Sequence, residues 1–272
     1  MSTQSVADHA EAQSRRPWFR ALARVGMAAR GAIFLIIGFL AVEVATDSGG
    51  QTTDQKGALT AVAQQRFGKL LLVVLAVGLV GYALWRLAQA VLDTDDKGES
   101  GKAWAVRASK LGSAVAYGIL CATAIGILAG SGSGGSGSGG PKGATSGVLG
   151  WPGGQVWVIL AALAVLCVAG WNLYRGLGRK FMKRLHPPAR MRRVVEWVGV
   201  VGMCARAVVF GLIAFFLAKA ALEYDPKQAV GLDGALGRLA GEPYGKALLG
   251  LVAAGLVTFA LYCFAEARYR EV

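Results

Sequence analysis

The apolar residues of this chain gather into six long runs, and that grouping constrains the fold more than any other feature. The runs cover roughly 22–45, 70–91, 106–130, 156–177, 194–221 and 247–267. Each is near the ~20 residues that a helix needs to cross a hydrocarbon core of ~30 Å. Such a core holds no water to satisfy peptide groups, so each run must close its hydrogen bonds within itself as an α-helix. Composition agrees. Of 272 residues, 54% are hydrophobic, a further 39 are Gly, and only 17% are charged. That balance excludes a disordered chain, a disulfide scaffold and an ordinary cytosolic enzyme. The expected class is all-α integral membrane, with six transmembrane helices.

An internal repeat organises the runs. Gly26-Met27-Ala28-Ala29-Arg30 returns as Gly202-Met203-Cys204-Ala205-Arg206, and Phe34 and Phe39 return as Phe210 and Phe215. Further on, Gly57-Ala58-Leu59 matches Gly234-Ala235-Leu236, and Phe67-Gly68-Lys69 matches Tyr244-Gly245-Lys246. Gly78-Leu79-Val80 matches Gly255-Leu256-Val257, and Ala83-Leu84-Trp85 matches Ala260-Leu261-Tyr262. Runs one and two therefore make a helical hairpin, and runs five and six are its copy. The middle pair is a degenerate third copy: Gly112 sets against Gly26, and Leu173-Tyr174-Arg175 against Leu84-Trp85-Arg86. It carries no arginine where Arg30 and Arg206 stand. The expected architecture is three tandem helical-hairpin repeats with pseudo-threefold symmetry. A disordered cytoplasmic tail occupies 1–17, and the repeats occupy 18–95, 96–185 and 186–272. The middle repeat contains a flexible Gly/Ser loop at 131–140. Because the first run has a counterpart inside the chain, it reads as structural and retained. Ser14-Arg15-Arg16 only loosely matches a twin-arginine signal.

The net charge of +13 is mostly a statement about topology. Nineteen of the 29 basic residues flank the runs at the N-terminus, the second-to-third and fourth-to-fifth connections and the C-terminus. The other three connections hold eight, and Arg30 and Arg206 lie within runs. The rule that basic residues stay inside places both termini in the cytoplasm and gives all three hairpins one orientation. Trp18, Trp85, Trp104 and Trp197 then flank the cytoplasmic ends; Trp151, Trp157, Tyr224 and Tyr244 flank the outer ends, as an aromatic belt would. In the outer connections, Ala58, Leu59, Val62 and Ala63 repeat at helical spacing, as do Ala235, Leu236, Leu239 and Ala240. Short amphipathic helices at the outer interface are expected there. In the third run Ala114, Gly118, Ala122, Gly126 and Gly130 form a smooth ridge, which suits close helix packing. Packing within the chain is the first reading of that ridge, and a homodimer face the alternative.

Charges within a bilayer are costly, roughly 2.5–3.5 kcal/mol at mid-helix on insertion scales, so the candidates for function are few. Arg30 and Arg206 occupy matching positions about two turns inside their helices. Three readings stand. The side chains snorkel to headgroups or cap neighbouring helix ends; they bind an anionic lipid phosphate; or they line a solute pathway, with Glu266 as counter-charge to Arg206. Gln89 is the first-repeat counterpart of Glu266. Glu43 and Lys219 match each other near the outer ends, and their opposite signs argue against a symmetric coupling role.

The rest of the chain offers little chemistry. Cys121, Cys167, Cys204 and Cys263 each lie in a different run and read as small core residues. His9 and His186 lie outside the runs. The basic cluster from Arg175 to Arg193 is a topology signal that also suits contact with anionic headgroups. It lacks the aromatic interleaving of a nucleic-acid module, so no nucleic acid is expected as a partner. Gly132, Gly134 and Gly137 match a phosphate-loop spacing only because the tract is Gly and Ser. No cofactor and no metal are expected, and the chain does not read as an enzyme.

The stretches Gly26–Arg30 with Gly78–Trp85, and Gly202–Arg206 with Gly255–Tyr262, resemble the bacterial, mainly actinobacterial, membrane family called domain of unknown function 1206. The resemblance spans about residues 18–270. It implies a six-helix plasma-membrane protein built from three repeats, and it carries no activity. Mitochondrial carriers share three two-helix repeats, but their P-x-[DE]-x-x-[KR] hallmark is missing here, so that likeness is one of architecture. The expected function is a non-catalytic lipid- or protein-binding scaffold in the membrane, its partners being anionic lipids of the cytoplasmic leaflet and a protein or second copy. The alternative is a small-solute transporter or channel along the pseudo-threefold axis.

Overall fold

A computed structural model describes residues 17–46, 52–91, 101–130 and 141–270. The tail expected over 1–17 lies outside them, save Pro17, which opens the first helix; the Gly/Ser loop at 131–140 lies outside them too. The helices are α1 (Pro17–Ala45), α2 (Gln55–Ala63), α3 (Gly68–Val91), α4 (Gly101–Leu128), α5 (Pro141–Leu149), α6 (Gly154–Leu177), α7 (Ala189–Leu222), α8 (Leu232–Gly241) and α9 (Gly245–Tyr269). Six of them, α1, α3, α4, α6, α7 and α9, are long and apolar enough to cross a membrane. At 1.5 Å per residue, the 34 residues of α7 reach roughly 50 Å, well beyond a hydrocarbon core. Its arginine-rich start therefore extends past the apolar layer.

The described residues divide into two compact units. One lies within Met1–Ala32, Leu59–Ser131 and Cys263–Val272, the other within Ile33–Ala58 and Gly132–Tyr262. In the first unit α3 packs along α4, and α1 crosses α3 through paired small residues. A Cβ on Gly26 would meet the Tyr82 nitrogen at 2.7 Å and the Gly78 oxygen at 2.8 Å; one on Gly78 would meet the Ala29 Cβ at 2.6 Å. The second unit repeats the device. A Cβ on Gly202 would meet the Phe259 Cα at 2.5 Å, and one on Gly255 the Ala205 Cβ at 2.3 Å. The repeated glycine and alanine, three residues apart, thus form the notch into which the partner helix backbone sinks.

The middle repeat shows no such notch at its matching glycine. No described neighbour lies within 4 Å of a Cβ placed on Gly112. Its two long helices fall in different units, α4 packing on α3 and α6 on α7. The small-residue ridge of α4 also requires a correction. Ala114 is buried, but Gly118, Ala122 and Gly130 are exposed and Gly126 is half-buried. The face that packs within the chain is Ala114, Tyr117, Leu120, Cys121 and Ala124. The physical reason is contact area: Tyr117 stacks edge-on against Tyr82 at 4.5 Å, a contact that glycine cannot supply.

The connections between the spans of each repeat are alike. The short helices expected in the first and third repeats are α2 and α8, and both bury their apolar faces: Ala58, Leu59, Ala235 and Leu236 are fully buried. The middle connection holds a third, α5, which its two Gly residues and its Pro conceal in the sequence. After each short helix the chain turns into the next span at a glycine (Gly68, Gly154 and Gly245) whose backbone nitrogen donates to the carbonyl three residues back, at 2.7, 2.9 and 2.7 Å. A Cβ on these glycines would lie 2.2, 1.9 and 1.9 Å from a carbonyl oxygen of the short helix, so only glycine fits. The residue before the last two glycines is left-handed, φ 72° at Gly153 and φ 60° at Tyr244. In the second unit, the Tyr224 hydroxyl donates to the Leu149 carbonyl at 2.8 Å. The Gln155 side chain donates to the Ala221 carbonyl at 2.9 Å. Together they tie α5 and the start of α6 to the end of α7.

Candidate functional site

Charged and polar side chains meet inside the first unit, contributed by four helices. α1 supplies Arg30. α3 supplies Tyr82, Arg86 and Gln89, which at spacings of four and three share one face. α4 supplies Lys110, the end of α9 supplies Glu266, and the residue after α9 is Arg270. Arg30, Gln89, Lys110, Glu266 and Arg270 are all buried, Arg30 with 6% of its surface exposed. Arg86 is half-buried.

Two guanidinium groups converge on one phenol oxygen. The Arg30 Nη1 donates to the Tyr82 hydroxyl at 2.9 Å. The Arg86 Nε and Nη2 donate to the same oxygen at 2.9 and 2.6 Å. Both cations also lie against the Tyr82 ring, at 5.6 Å for Arg30 and 5.1 Å for Arg86, an attraction with the ring quadrupole. Arg86 further donates to the Gln89 Oε1 at 3.4 Å, and the Lys110 Nζ to the Gln89 carbonyl at 3.5 Å. The Glu266 carboxylate stands 3.9 Å from Arg30 and pairs closely with Arg270 one turn further on. Arg270 covers the Trp85 ring at 4.5 Å. Like charges at ~5 Å repel by roughly 3 kcal/mol at an effective dielectric of ~20. Glu266 offsets part of that for Arg30.

The repeat-related arginine has different company. Arg206, half-buried in the second unit, lies over the rings of Phe34, Phe210 and Phe259 at 5.7, 5.1 and 5.0 Å. The difference can be read position by position. Where the first repeat has Tyr82, Trp85, Arg86 and Gln89, the third has Phe259, Tyr262, Cys263 and Glu266.

Several expectations are corrected. Arg30 does not run out along a lipid-facing helix surface: its side chain is buried against Tyr82 and Glu266. Glu266, expected as counter-charge to Arg206, stands beside Arg30 and Arg270. Glu43 is exposed, as the sequence suggests for an outer-end charge, and Lys219 pairs with Glu223 at 3.7 Å at the end of α7. Tyr82, Arg86, Lys110 and Arg270 belong to the site although sequence reasoning passed over them. In the sequence Arg86, Lys110 and Arg270 read as topology signals, since each lies near the end of an apolar run. The signal for Tyr82 was its replacement by Phe259 in the copy.

Six membrane-length helices among the described residues, arranged as repeats, define a multi-pass membrane protein. Its family follows from the same repeats. The chain belongs to the family described as Domain of Unknown Function (DUF1206), which matches residues 25–93, 108–179 and 201–270, one segment per repeat. It is similar to the uncharacterized protein YxxB of Bacillus subtilis (strain 168), 30% identical over 263 residues that cover 96% of this chain and 94% of that one. No solved structure matches the chain.

Proposed function

We propose that the protein is a non-catalytic component of the bacterial plasma membrane, with both termini in the cytoplasm, that binds an anionic lipid headgroup through Arg30 and Arg86. The observation that carries this reading is the convergence of two guanidinium groups on the Tyr82 oxygen. Arginine forks match the geometry of phosphate oxygens, and the cytoplasmic leaflet offers phosphate on anionic lipids. The site sits in the first half of the apolar span Ala23–Ala45 of α1 and at the ends of α3 and α9, the side that the distribution of Lys and Arg assigns to the cytoplasm.

The test is the lipid that stays with the protein through purification in mild detergent. The expected result is enrichment in phosphatidylglycerol over the bulk membrane, lost in Arg86→Gln. Equal headgroup composition in bound and bulk lipid would overturn the reading. Uptake of a small anion into liposomes, abolished by the same substitution, would move the assignment to transport.

A further inference from the structure

We infer that the chain holds one phosphate-binding site, that this site belongs to the first repeat, and that Arg206 is a structural cation. The inference rests on the anion-binding reading above and adds which of two repeat-related arginines takes the ligand. Two substitutions between the copies decide it. The Tyr82 hydroxyl accepts from both Arg30 and Arg86 and so holds their forks side by side. The third repeat has Phe259 in its place, with no oxygen to do the same, and Cys263 in place of the second arginine. Arg206 instead spends its planar faces on three phenyl rings. The ring quadrupoles stabilise its charge there.

Tyr82 is therefore a positioning residue, and Arg30 and Arg86 are the ligands. Arg86 is the more exposed of the pair, so the phosphate approaches from its side. Glu266 bounds the site 3.9 Å from the Arg30 Nη1 that donates to Tyr82, and is paired with Arg270. A phosphate bearing an alkyl or glycerol substituent and a free phosphate share the chemistry that this pair recognises.

The full-length protein in phosphatidylcholine nanodiscs, titrated with phosphatidylglycerol and observed by native mass spectrometry, tests the inference. The wild type is expected to take up one phosphatidylglycerol per chain ahead of phosphatidylcholine. Tyr82→Phe and Arg86→Gln should each weaken that binding by about tenfold, the worth of a charge-assisted hydrogen bond. Arg206→Lys keeps the cation among the rings but removes the fork, and should leave stoichiometry and affinity unchanged. A second phosphatidylglycerol that Arg206→Lys removes would overturn the inference, as would equal affinity of Tyr82→Phe, Arg86→Gln and the wild type. If the wild type shows no preference for phosphatidylglycerol or for inorganic phosphate, the anion-binding reading itself falls. A thermal shift with millimolar inorganic phosphate alone, absent in Arg86→Gln, would keep the site and assign it to a soluble phosphate.

Discussion

At the scale of single residues, the two most informative positions are a glycine and a carboxylate. Gly202 has a helix backbone pressed onto it, with Phe259 atoms 2.5 and 2.7 Å from where a Cβ would stand. Backbone cannot swing aside as a side chain can. Gly202→Ala should therefore cost roughly 1–3 kcal/mol, as overpacking does, and lower the melting temperature in detergent by several degrees. Gly112→Ala, at the matching place in the middle repeat, should stay within about 1 kcal/mol of the wild type in the same measurement. Glu266 is buried between Arg30 and Arg270. Removing its charge leaves two buried cations facing each other, so Glu266→Gln should destabilise by roughly 3–5 kcal/mol in denaturant titration. Glu43→Gln, at an exposed position, should change stability by less than about 0.5 kcal/mol. Equal effects of the two would contradict the burial assigned to Glu266. Gly202 could be found in the sequence, because the motif repeats. The setting of Glu266 could not, because its partners come from α1 and from its own helix end, and spacing along one helix does not say which neighbour a face meets.

At the scale of elements, the basic connection between α6 and α7 is a folded corner. A five-residue 3-10 turn, Lys180–Arg184, joins the two helices. Phe181 is buried there, its ring edge-on to Tyr262 at 5.3 Å. Gly199 makes room for it: a Cβ at that position would lie 2.4 Å from the Phe181 ring. Arg179 then reaches Glu196 at 2.6 Å. This wedge holds Lys180, Lys183 and Arg190, all exposed, at fixed places. Phe181→Ala should free the corner, costing roughly 3–5 kcal/mol. The measurable outcome is faster trypsin cleavage between Arg179 and Lys183 under conditions where the wild type resists. Unchanged cleavage would mean that the ring does not pin the corner. The short helices teach a related lesson. Two of them showed an apolar rhythm in sequence, whereas α5 did not, because Gly and Pro mask periodicity even where the turn after it is built like the other two.

At the scale of the whole molecule, the prediction concerns sidedness. Tyr244 is 89% exposed at the turn before α9, and Arg179 is exposed after α6. With the termini in the cytoplasm, Tyr244→Cys should react with a membrane-impermeant maleimide in intact cells, and Arg179→Cys only after permeabilisation. The reverse pattern would invert the topology. The native cysteines make a quiet background, since Cys121 and Cys263 are buried and all four lie within membrane-length helices.

The sequence by itself determined the number of spans, the repeat that relates them and the glycines that recur between copies. These are properties of local composition and of internal comparison, and a bilayer admits few alternatives to a helix. The tertiary structure decided which face of each helix turns inward. In a membrane both the lipid-facing and the protein-facing sides are apolar, so periodicity is silent on that choice. The small ridge of α4 consequently looked like an interior face and lies outside it, while the neighbouring Tyr117 face is the one that packs. The rotation of each helix about its axis, set at the glycine crossings, brought Arg30 to Tyr82, Arg86 and Glu266, and set Arg206 among phenyl rings.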